Sequence, residues 1–262
     1  MTSVPSPTGS PWPVPVIRRF LVSQGTGQFA DAMTAMVLAG ALLGSGDGVE
    51  PADLLATLGV AVLPYAIAGP LSGVVADAYP RRGLLVGANV ARAVVTVVAL
   101  VAVADERRAI GLLAATALLS VARLVYTVRA AALPTLVTGH DLVRADAAAL
   151  LVGMVATGTG AIVGTLGAQT SPGTVLAVAV VGQLASACGF ATIRSPLGDR
   201  PRITPEPREL WRGLRRLWTS GPARRAMTIA VSTRSLLGAL FATTVLVGAN
   251  RLGLEALSLI HI

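Results

Sequence analysis

Seven long apolar runs limit what this chain can fold into more than any single residue does. A helix needs about 20 apolar residues to cross a bilayer, and runs near that length cover residues 17–43, 54–76, 84–104, 110–128, 147–169, 174–193 and 227–249. Each run is continuously apolar, whereas the strands of a membrane barrel alternate in character over about 10 residues. Helices satisfy their own backbone groups in lipid, so the pattern predicts an all-α, polytopic transmembrane helical bundle of about seven helices. Composition agrees: 53% of residues are hydrophobic and 13% charged, with a mean hydropathy of +0.71, against about 25% charged residues in a soluble domain.

All 21 basic residues are arginine, and the formal net charge is +8. A basic face on a soluble fold would point to nucleic acid. Here most arginines lie between apolar runs, so the expected partner is the lipid bilayer and no nucleic acid is expected. Arg18 and Arg19, Arg81 and Arg82, Arg129 and Arg144, and the nine arginines from Arg194 to Arg225 fall on one side of the predicted spans; Arg107, Arg108 and Arg251 fall on the other. The positive-inside rule then makes the amino terminus cytoplasmic in a multi-pass protein of the cell (inner) membrane. Residues 1–16 hold five prolines and read as a disordered tail. Arg18 and Arg19 look like a twin-arginine export signal, but the run behind them is longer than such a signal uses.

Residues 194–225 form the longest loop and contain an amphipathic stretch. Leu210, Trp211, Leu214, Leu217 and Trp218 share one helical face, with Arg212, Arg215 and Arg216 opposite. This predicts a helix lying on the anionic inner leaflet; a solvated linker is the bland alternative. The single cysteine, Cys188, has no intrachain disulfide partner and is expected to pack.

Charges at membrane depth are costly and usually face a polar cavity or one another. Asp31, Arg92, Arg123 and Arg234 lie inside runs. Asp31 is the leading candidate for proton coupling or for binding a cationic substrate, since a carboxylate that alternates between a dry setting and an arginine can load and release a proton. A purely structural pair between Asp31 and an arginine is the alternative. Between the second and third runs, Asp77 can pair with Arg81, Arg82, Arg92 or a helix dipole and latch one face shut; otherwise the two arginines only set topology. The fifth run carries Gly153, Gly158, Gly160, Gly164 and Gly167, spaced for close helix approach, with Gly160 and Gly164 forming a GxxxG. There is no HExxH, no phosphate-binding GxxxxGK[ST] and no cysteine–histidine cluster. No catalytic residue, metal or cofactor is therefore expected, and an enzyme is disfavoured.

Six spans, a long basic loop and a seventh span resemble the amino-terminal half of a major facilitator superfamily transporter. Gly73-Val74-Val75-Ala76-Asp77 followed by Arg81-Arg82 resembles the family's loop signature, with Ala78 and Pro80 standing where a basic residue and a glycine are usual. Val128 to Val137, followed by Asp141-Leu142-Val143-Arg144-Ala145-Asp146, is similar to the drug and macrolide efflux branch. Arg123 resembles the family's fourth-span arginine, and the glycines around Gly160 resemble the antiporter signature, with Ala161 in place of its proline. The resemblance implies a six-helix bundle over 17–193, a cytoplasmic loop over 194–225 and the start of a second bundle over 226–262. It implies secondary active transport, with proton-coupled efflux of a small drug-like or amphipathic substrate. Asp31, Arg123 and Arg234 would then serve coupling or substrate binding, and Gly73, Asp77, Arg81, Arg82 and Arg92 the gate. Such a machine needs two bundles, so the second is expected from the same gene or from another chain. A non-transporting membrane scaffold or sensor is the competing class.

Overall fold

The structure is a computed structural model that describes residues 15–43, 72–73, 75–105, 107–137, 140–194, 197 and scattered positions from 215 to 240. Among these are five long helices: α1 (Pro15–Leu43), α2 (Arg81–Ala104), α3 (Arg108–Leu136), α4 (His140–Thr170) and α5 (Pro172–Ala191). No strand occurs among the described residues. Helices α2 to α5 are each long and apolar enough to cross a membrane. α1 matches them in length at 29 residues, but Gln24, Thr26, Gln28 and Asp31 make its middle polar.

The seven predicted runs are thus represented by five helices and two partial segments. Of the second run, residues 72, 73, 75 and 76 are described and helical, and the helix continues through Asp77 and Ala78. Of the seventh, Thr228, Ile229, Ser232, Thr233, Leu236 and Leu240 are helical. Arg234 and nearly all of the amphipathic stretch 209–218 lie outside the described residues; Arg215 within that stretch is helical and exposed.

Element ends differ from the sequence expectation where hydropathy falls but helix propensity does not. The predicted loop holding Arg129 and Arg144 is mostly helix. α3 runs on through Arg129 to Leu136, and α4 already begins at His140. Ala130, Ala131, Ala132 and Leu133, then Leu142, Ala145 and Ala147, are strong helix formers that carry both helices beyond their apolar cores. Pro134 is accommodated inside the last turn of α3. At the other extreme, α1 takes in Pro15 and Val16 from the predicted tail. Proline suits a first helical position, where its missing N–H would have had no partner; Pro172 opens α5 in the same way.

α1 lies between α4 and α5, while α2 packs on α5 and α3. Contacts between α2, α3 and α5 at one end of the bundle gather Arg81 and Arg82 there, close to Arg18 and Arg19 of α1. Near this arginine-rich end the core is apolar: Phe20 meets Phe190 edge-to-face at 5.5 Å between centroids, packed with Ile17, Leu85, Val128 and Ile193. A second apolar cluster, Ala30, Met33, Val37, Leu176 and Ala179, lies further along α1 and α5. Polar residues gather between the two.

Polar side chains interrupt the buried core, and large apolar ones stand on the surface. Gln24, Asn89, Arg92, Thr96, Gln183 and Ser186 are buried, whereas Val94, Val98, Val101, Leu151, Met154, Val155 and Val163 face outward. Large apolar side chains outside and a polar layer between two apolar clusters inside suit a bundle surrounded by lipid.

Close approach of α4 to α1 depends on glycine. A Cβ on Gly160 would run into the backbone of Phe29, and one on Gly164 would lie 2.8 Å from the Met33 Cα. A Cβ on Gly153 would lie 2.6 Å from the Gln28 amide oxygen, and one on Gly167 would press on Val175 of α5. Gly158 faces open space and takes no part in the contact.

Candidate functional site

Three helices each contribute polar residues at helical spacing to one layer. Gln24, Gln28 and Asp31 of α1 recur at i, i+4 and i+7, Asn89 and Arg92 of α2 at i and i+3, and Gln183 and Ser186 of α5 at i and i+3. Side chains at those intervals share a helix face, so three polar stripes meet where α1, α2 and α5 touch.

The guanidinium of Arg92, 2% exposed, forms an ion pair with Asp31 and donates a further hydrogen bond to the Asn89 amide oxygen. Gln183 Nε2 donates to the other Asp31 oxygen at 3.2 Å. Asn89 is itself oriented by donating from Nδ2 to the Leu85 carbonyl at 2.6 Å. Ser186 donates to the Ser23 carbonyl at 2.6 Å, and Gln24 Nε2 to the Ala149 carbonyl at 2.7 Å, which ties α4 to the same layer. Buried charges are tolerated only when paired and further hydrogen-bonded, and this network meets both conditions. Gly27 makes room for it: a Cβ there would lie 2.8 Å from Ser186 Oγ and 3.1 Å from both the Arg92 guanidinium and the Asn89 amide oxygen.

Beside the pair lies a cavity of ≈ 250 Å³, lined by Gln24, Gln28, Asp31, Arg92, Ala122, Arg123, Tyr126, Arg129 and Phe190. Arg123 and Arg129 lie 5.6 Å and 5.0 Å from the centroid of the Tyr126 ring. Their spacing of three residues on either side of Tyr126 lets both cations lie over one aromatic ring, a favourable electrostatic contact. The amide oxygens of Gln24, Gln28 and Gln183 are buried without a hydrogen-bond partner among the described residues. Such acceptors are costly to leave unpaired, and Gln24 and Gln28 both line the cavity.

The predicted latch is arranged differently. Asp77 is exposed and makes no ion pair among the described residues, because the arginines expected to hold it are engaged elsewhere. Arg81 donates to the carbonyls of Ala131, at 2.8 Å, and Leu197, at 3.1 Å. Arg82 donates to the carbonyl of Ala191, and Arg92 serves Asp31. The Ala191 carbonyl closes the last turn of α5, where it lacks an intrahelical partner and carries partial negative charge, a natural acceptor for arginine. Gly73 faces open space, and its neighbour Ser72 bonds Thr127 of α3 at 2.9 Å. At the same end, Arg18, Arg19, Arg82 and Arg194 line a wider cleft of ≈ 950 Å³.

Of the residues singled out in the sequence, the structure brings together Asp31, Arg92 and Arg123 in or beside one cavity and leaves Asp77 apart from it. Sequence reasoning passed over Gly27, Gln24, Gln28, Asn89, Gln183 and Ser186. For all but Gly27 the signal was uncharged polar groups at helical spacing inside apolar runs, which a search for ionised residues overlooks. No group of histidine, cysteine or acidic residues placed to hold a metal occurs among the described residues.

Apolar, outward-facing helices around a buried ion pair and a polar cavity are the pattern of a multi-pass helical membrane protein. The chain is similar to two proteins named "Uncharacterized MFS-type transporter", one from Mycobacterium bovis and one from Mycobacterium tuberculosis. Each is 34% identical over 153 residues, which cover 56% of this chain and 34% of the relative. The match therefore spans about a third of the length of the curated relatives, and it supports the major facilitator superfamily. No family model matches the chain, and no solved structure matches it.

Proposed function

We propose that this chain forms the amino-terminal part of a secondary active transporter that exports a small amphipathic compound in exchange for protons. The arginine-rich end faces the cytoplasm, residues 17–193 form the first bundle, and 194–225 link it to the second. The observation that carries this function is the Asp31–Arg92 pair beside an interior cavity. A carboxylate held by one arginine and one glutamine can change partners when it takes up a proton. Ionised, it binds Arg92; protonated, it frees the guanidinium to lean on Asn89 alone. Rocking of two bundles about a midplane site would expose the carboxylate first to one side and then to the other. Asp31, engaged by Arg92, is better suited to carrying a proton than to binding a cationic substrate. Arg81 and Arg82 tie α2 to α3 and α5, a unit that can rock as a body, and Arg234 is assigned with Asp31 and Arg123 to coupling or substrate binding.

The test is transport by the full-length protein in sealed, inverted membrane vesicles energised to be acid inside, using paired anionic and cationic fluorescent amphipaths. Uptake of at least one probe that collapses on adding a protonophore is expected, and Asp31→Asn should no longer follow the imposed pH gradient. Uptake unaffected by the protonophore, or an Asp31→Asn variant that still follows the gradient, contradicts proton exchange through this carboxylate. No uptake of either probe would favour a scaffold.

A further inference from the structure

The wider cleft at the arginine-rich end combines four cations with an apolar edge. Among the described residues its lining includes Arg18, Arg19, Arg82 and Arg194 and no acidic side chain. All four arginines are exposed, and none forms an ion pair among the described residues. Arg82 is held against α5 by the Ala191 carbonyl. The first turn of α1 opens into the same cleft without an acidic residue, so nothing there offsets the partial positive charge of its N–H groups. α1 and α5 meet within the cleft, where a Cβ on Gly189 would run into the Ser23 side chain. Val22 follows Arg18 by four residues and Arg19 by three, which places it between them on one side of α1. It lines the cleft and is 61% exposed. An apolar outward-facing side chain thus lies about 4.5 Å along the helix from an arginine.

From this we infer a site for one anionic phospholipid: its phosphate accepts from Arg18, Arg19 and Arg194, and an acyl chain leaves the cleft over Val22 into the bilayer. Arginine matches phosphate oxygens with paired donors, and basic pockets between spans at the membrane surface take acidic headgroups. A free inorganic anion would occupy a small part of the ≈ 950 Å³ and leave Val16, Val22 and Ile193 without a partner. A headgroup with its chains uses both the charged and the apolar lining. The site is separate from the Asp31 cavity and needs only that the bundle spans a bilayer, so it does not depend on transport.

Native mass spectrometry of the purified full-length protein in a non-ionic maltoside, titrated with dioctanoyl phosphatidylglycerol or dioctanoyl phosphatidylcholine, tests the inference. The anionic lipid is expected to bind at least about tenfold more tightly than the zwitterionic one. Arg19→Gln with Arg194→Gln should weaken the anionic lipid by at least about tenfold, the order of one charge-assisted hydrogen bond. Arg107→Gln, which acts on a pair with Asp105 at the far end of α2, should leave the affinity unchanged. Inorganic phosphate at the lipid's own concentration should displace little of it. Equal binding of the two lipids, or anionic lipid binding indifferent to the Arg19 and Arg194 changes, overturns the inference. Displacement by inorganic phosphate as effective as by the lipid itself would make this a free-anion site and overturns it too. Should the double variant fail to fold, Arg18→Gln takes its place, and a loss of affinity on that single change is the result expected; none would contradict the site.

Discussion

Asp31→Leu destabilises the folded protein by about 3–5 kcal/mol, because it leaves the Arg92 guanidinium buried without its counter-charge. Arginine cannot shed its proton to escape that cost. Arg92→Leu is expected to cost less: the stranded Asp31 can take up a proton and still accept from Gln183. The double variant Asp31→Leu with Arg92→Leu should recover most of the loss, since two leucines of similar bulk replace a desolvated pair in a bundle already apolar on either side. Thermal unfolding of the purified variants, read as a double-mutant cycle, measures the coupling. Additive losses would show that the two side chains do not hold one another.

Gly160→Val has the second large effect. Its side chain meets the backbone of Phe29 and the Ala32 methyl group, neither of which can rotate aside. α1 must then move off α4, stretching the Gln24–Ala149 bond and the layer that holds Asp31. Overpacking of this kind costs about 1–3 kcal/mol or more. Gly158→Ala, two residues away in open space, is expected to be neutral or to stabilise by about 0.5–1 kcal/mol through helix propensity. Unfolding temperatures of the two variants should move in opposite directions or differ widely. Equal sensitivity would mean that α4 presents a different face to α1.

The helical character and the approximate positions of five long helices, four of them apolar enough to cross a membrane, were legible in the sequence because continuous hydrophobicity over about 20 residues has few other solutions. The ends were not. Arg129 and Arg144 looked like loop residues because charge marks where apolarity stops, not where the backbone hydrogen bonding stops. Asp31 and Arg92 stood out as ionised groups inside apolar runs, and their union required knowing that α1 and α2 both pack on α5. Gly27 carried no signal of its own: its role appears only once Arg92 and Ser186 converge on it. The same holds for Arg81 and Arg82. A sequence shows the acid they lie near, Asp77, but not the backbone carbonyls of Ala131, Ala191 and Leu197 that the fold delivers to them.

The account turns on polarity: a water-accessible cavity inside the bundle and lipid outside it. Single cysteines at Gln28, Ala122, Val94 and Val163, placed in a Cys188→Ser background of the full-length protein in native membranes, test it directly with a small hydrophilic methanethiosulfonate. Cysteines at Gln28 and Ala122, which line the cavity, are expected to react, and those at Val94 and Val163, which face outward, to stay unmodified. Labelling at Val94 and Val163 with protection at Gln28 and Ala122 would contradict it.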